Sequence, residues 1–158
     1  MSIHEKQNQR AVLRQDFERQ LDAFEQCTET PFVPGELEQW LSAVREAFDG
    51  LVPMVKESQR IHEEEFVEIV EEDPELHVHV ELMREEERAI AKELDELTKW
   101  FNEFPKRRID GGDETEYKLD LDRFVSAALE MLVRIRKQEV TVRTWLMEAF
   151  MRDRGTVD

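Results

Sequence analysis

The 158-residue chain has a single cysteine, Cys27, so no disulfide can form within it, and its use of thiols fits a reducing compartment. Glycine and proline occur only five times each, too rarely for a loop-rich or repeat-turn architecture. No uncharged run reaches the ~20 residues that cross a bilayer. The stretch from Met1 to Arg10 is polar and lacks an apolar run of signal-peptide length, which gives the expectation of a cytoplasmic protein. Strand-like alternation is missing. So are a Gly-rich phosphate loop and a Gly-x-Ser-x-Gly elbow, and Cys27 has no base in its sequence neighbourhood. Nucleophilic catalysis therefore has no candidate in the sequence, and an acid or base role for Glu139 would need a pocket around it.

What is present is charge, at 38% of residues, with a formal net charge of −16. Binding to phosphate backbones needs clustered Lys and Arg, so nucleic acid and anionic membrane are excluded as expected partners; a protein partner or a cation is compatible. Hydrophobic residues make up 40% and the length suits one domain with its own core, which sets the expectation of one helical-bundle domain over 1–158.

The apolar residues recur at helical spacing in four stretches. Ile3, Leu13, Phe17, Leu21 and Phe24 mark a first helix to about residue 29, broken by Thr30-Pro31-Phe32-Val33-Pro34-Gly35. Leu37, Leu41, Val44, Phe48, Leu51 and Val55 run into His62, Phe66 and Ile69 on a second, which Gly50 and Pro53 are expected to kink or interrupt. Asp73-Pro74 reads as N-cap and first helical position of a third, carrying Leu76, His79, Met83, Glu86, Ile90, Leu94, Leu97 and Phe101 to about Phe104. Pro105 to Thr115 reads as a loop. The fourth helix, about 116–152, carries Leu121, Phe124, Ala128, Met131, Leu132, Ile135, Glu139, Val142, Leu146 and Ala149. Four long helices with modest links predict an all-α, up-down-up-down antiparallel four-helix bundle.

His62, His79, Glu86 and Glu139 fall inside these stripes, with Ser58, Glu65 and Glu87 at the margins. A buried charge must be paired or bound to an ion. His62 and Glu86 each lie about a dozen residues from the Asp73-Pro74 turn, within about one helical turn of each other if the helices pair antiparallel. Two readings follow: a hydrogen-bonded His62–Glu86 pair, or a metal site of one histidine and two carboxylates, His62, Glu86 and Glu139. His77 and His79, two apart on a helix, point to different faces and do not make a ligand pair.

The phrases His62-Glu-Glu-Glu-Phe-Val-Glu-Ile-Val-Glu-Glu-Asp-Pro-Glu-Leu and Leu82-Met-Arg-Glu-Glu-Glu-Arg-Ala-Ile-Ala-Lys-Glu-Leu, with Leu13-Arg-Gln-Asp-Phe and Leu132-Val-Arg-Ile-Arg-Lys-Gln-Glu, resemble the helix patterns of hemerythrin-like (HHE cation-binding) bundles. The resemblance implies that fold and, in intact members, a di-iron centre. Positions matching the family's ligands hold Phe17, His62, Phe66, Glu86 or Glu87, Ile90 or Ala91, Ile135 and Glu139; a second register puts Arg60 with Glu64 and Arg134 with Gln138 there. The implied function is a non-enzymatic bundle with a degenerate metal site and no cofactor, serving as a structural or protein-binding module. The alternative is an iron-binding or oxygen- or redox-sensing protein with a reduced site.

Overall fold

The computed structural model describes residues 2–109 and 114–155. They form helices α1 (Ile3–Glu29), α2 (Leu37–Glu72), α3 (His77–Ile109) and α4 (Glu114–Gly155), with a single 3-10 turn at Pro74–Leu76 between α2 and α3. There is no strand among the described residues, and the protein is all-α. No helix in this described part is long and apolar enough to cross a membrane.

Local chemistry sets the helix ends. Ser2 caps α1 reciprocally: its hydroxyl accepts from the Glu5 amide at 3.2 Å while the Glu5 carboxylate accepts from the Ser2 amide at 2.8 Å. Gly35 takes φ +93°, a left-handed value that favours glycine, in the turn that leads into α2. The Asp73 carboxylate accepts from the Glu75 amide at 3.2 Å, and Pro74 opens the 3-10 turn as expected of a proline that has no amide to satisfy.

At two places where the sequence suggests an interruption, the helix continues. Helix α2 continues through Gly50 and Pro53. Pro53 and Asp49, whose carbonyl loses its amide partner four residues on, are both exposed, so water can satisfy that oxygen. Gly50 serves a close approach instead. A Cβ there would lie 2.6 Å from Nε2 of Gln20, which donates to the Ala47 carbonyl at 2.8 Å. Helix α3 likewise passes through exposed Pro105 to Ile109 and α4 begins at Glu114, so both ends of the expected 105–115 loop are helical; Gly111 and Gly112 lie outside the described residues.

The chain divides into two compact units, Met1–Lys56 with Asp113–Leu129 and Glu57–Gly112 with Glu130–Asp158. In the first, Phe17, Leu21 and Phe24 of α1 are buried, as are Val44, Phe48 and Leu51 of α2 and Leu121, Phe124 and Ala128 of α4. Trp40 is buried too; its indole donates to the Thr30 carbonyl at 2.8 Å and its ring meets Phe124 edge-on at 6.4 Å. The α1 stripe is buried only from Phe17 onward. Ile3 and Leu13 are exposed, and Lys6, Arg10 and Arg14 occupy the helical positions that extend the Phe17 face backwards.

The second unit packs Phe66 and Ile69 of α2 with Val80 and Met83 of α3 and Val142, Leu146 and Ala149 of α4. The inward residue after Leu76 is Val80, not His79. His79 is exposed, with its ring 6.3 Å from that of Trp145.

Candidate functional site: the polar centre of the second unit

Helical spacing brings Ser58, His62, Glu65 and Phe66 to one side of α2, and His62 is buried among them. Its Nδ1 lies 2.5 Å from Oε1 of Glu87 on α3, and its Nε2 lies 3.7 Å from Oε2 of Glu139 on α4. The other Glu139 oxygen accepts from the Ser58 hydroxyl at 2.5 Å. The Gln59 amide donates to the Glu87 main-chain carbonyl at 2.9 Å, which fastens that turn of α3 to α2. The Phe66 ring, 6.1 Å from the imidazole, forms an apolar wall.

Glu86, one residue from Glu87 and therefore about 100° around the helix, turns to α4. There Arg134 grips both its oxygens, Nε to Oε1 at 2.9 Å and Nη2 to Oε2 at 3.1 Å, and also reaches Glu93. Gln138, almost wholly buried, donates to the Met83 carbonyl at 3.1 Å. The structure thus brings His62 and Glu139 together, adds Glu87, and places Glu86 in a separate ion-pair cluster.

Burial is the largest single influence on His62 and disfavours its charged form. The hydrogen bond to Glu87 and the charges of Glu139, Glu87 and Glu65 together outweigh it, so its pKa lies above the ordinary histidine value. An imidazolium donates from both nitrogens, which matches a carboxylate on each side.

A histidine whose pKa is raised on folding stabilises fully below its unfolded pKa of about 6.5, and that stabilisation disappears as pH rises through the folded pKa. The urea midpoint of the native protein is therefore expected to fall as pH is raised from 6.5, and that of His62→Leu to stay flat over the same window. Parallel curves for the two proteins would show that His62 titrates alike in both states.

Among the described residues no three His, Cys, Asp or Glu side chains form a group that could hold a metal ion. Several polar atoms of these side chains are engaged in protein hydrogen bonds, at His62–Glu87, Ser58–Glu139 and Arg134–Glu86. Residues matching the resembled family's other ligand positions, Phe17, Phe66, Ile90 and Ile135, are carbon side chains buried in the core. Comparisons of the chain with protein-family models, with curated proteins and with solved structures returned no match.

Proposed function

We propose that this chain is a non-enzymatic, hemerythrin-like bundle in which a proton shared among His62, Glu87 and Glu139 stands where relatives of that type hold metal, and that it works in the cytoplasm as a structural or protein-binding module. The observation that carries this reading is the double engagement of His62 by carboxylates from two further helices, at 2.5 and 3.7 Å. Such a cluster ties α2 to α3 and α4 without a metal. The up-down-up-down arrangement is part of the proposal. In its support, Gln59, His62 and Glu63 on α2 meet Glu87, Glu87 and Arg84 on α3, so the partners descend as the chain ascends. The acidic composition, and a Cys27 without a base in its sequence neighbourhood, favour a binding or scaffolding role over catalysis.

Protein purified without chelator is expected to carry well under one equivalent of iron, zinc or manganese by elemental analysis, with no ligand-to-metal absorption band. Two irons per chain with such a band, or one ion that survives dialysis, would replace this reading with the iron-binding alternative.

A further inference from the structure

Helix α4 is amphipathic twice within the second unit. One face buries Leu132, Ile135, Gln138, Val142, Leu146 and Ala149. The opposite face exposes Val133, Val140, Met147 and Met151 at 63%, 52%, 60% and 71%. With exposed Lys137 and Thr144 between them, these positions step by four and three, the spacing of a helix-pairing seam. Apolar rows of this kind on a surface mark interaction sites more often than scattered single residues do. The seam also departs in charge from the rest of the chain. With Arg134 committed to Glu86 and Glu93, and Glu139 to Ser58, residues 131–151 keep Arg136, Lys137 and Arg143 against Glu148, a balance of 3 − 1 = +2 in a chain of −16.

The same unit carries the complement. On α2, Glu57, Arg60, Glu64, Val67 and Glu71 step by three and four along the outward side, and Arg60 ties Glu57 and Glu64 into place at 2.7 and 2.5 Å. With the neighbouring Glu68, that stripe carries 1 − 4 = −3: one arginine against Glu57, Glu64, Glu68 and Glu71. We propose that the outer seam of α4 docks on the outer stripe of α2 in a second copy of this chain, Lys137 and Arg143 facing its carboxylates and Val140 and Met147 packing beside its Val67. This names the partner in the protein-binding reading above and rests on it.

Because both stripes lie on one unit, a two-fold pairing uses each of them twice, α4 on α2 and α2 on α4. One such helix pair, limited by the α2 stripe to about 21 Å by helical rise, falls short of the ~800 Å² per partner of a standard interface; two of them approach it. The dimer is accordingly weak, with a dissociation constant on the order of micromolar.

Sedimentation equilibrium over about 5 to 500 µM is expected to show the mean mass rising from one chain towards two. Val140→Glu with Met147→Glu, both at exposed positions, should leave the helical circular dichroism unchanged and hold the mass at one chain. Lys137→Glu alone and Glu71→Lys alone should each weaken association at least tenfold. An equimolar mixture of those two should restore it, since each contact in the mixed dimer again joins opposite charges. A native chain that stays monomeric, or a dimer indifferent to these changes, overturns the proposal; so does a mixture that fails to recover while both single variants are monomeric. A monomer without metal would remove the dimer and leave the proton-held polar centre standing.

Discussion

His62→Leu is expected to cost about 3 kcal/mol of unfolding free energy, because it strands the Glu87 carboxylate in a mostly buried position without its partner. Glu87→Leu should cost somewhat less, about 2 kcal/mol, since a histidine that loses its carboxylate can shed its proton while a carboxylate at neutral pH keeps its charge. Glu86→Leu should cost under about 1 kcal/mol: its partner Arg134 is over a third exposed and keeps Glu93. The double variant His62→Leu/Glu87→Leu removes both desolvation penalties and should recover most of the loss. Glu139 retains its Ser58 hydrogen bond and partial exposure. Urea melts of the native protein and these four variants near pH 6.5 give the coupling directly. Equal costs for Glu86 and Glu87, with additive behaviour at His62, would mean that the polar centre is not built as described.

That contrast between neighbours shows what the sequence could and could not reveal. The four helices were legible because their stripes are long and the punctuation at Thr30–Gly35 and Asp73-Pro74 is strong. On α3, though, the stripe from Leu76 to Met83 can pass through His79 or Val80, and from Met83 to Ile90 through Glu86 or Glu87. Three then four and four then three are equally helical. Hydropathy decides the first choice for Val80. Nothing in the α3 sequence decides the second, because both residues are glutamate. It is resolved by partners remote in sequence: Arg134 lies on the α4 flank that meets Glu86, and His62 on the α2 face that meets Glu87. The buried Gln138 belonged to the second register of the resemblance, in which Arg134 also appears, so the signal was there without a means of ranking it.

The interruption expected at Gly50 and Pro53 and the loop expected from Pro105 fail for a related reason. A break is inferred from the residue alone, but its cost depends on whether the orphaned carbonyl meets water and on what the missing side chain admits. Pro53 and Pro105 are exposed, and Gly50 makes room for Gln20. Local rules predicted interruptions that tertiary surroundings removed.

The first unit should be most sensitive at Phe48. This ring is 1% exposed and lies 5.7 Å from that of Phe24, itself fully buried, in a tilted pair. Phe48→Ala removes a full aromatic burial and opens a cavity that the surrounding helices fill only in part, a change that costs about 4 kcal/mol in well-packed cores. Phe150→Ala, at a position 43% exposed, should cost under about 1 kcal/mol by comparison. Part of the Phe48 loss belongs to the ring pair itself, so Phe24→Ala and Phe48→Ala together should fall short of their sum by about 1 kcal/mol. Denaturant midpoints at an unchanged m-value would report these differences as stability. A Phe48→Ala protein within 1 kcal/mol of the native one would mean that α1 and the first half of α2 do not pack through these rings, because no relaxation of neighbouring side chains replaces the contacts of a whole phenyl group.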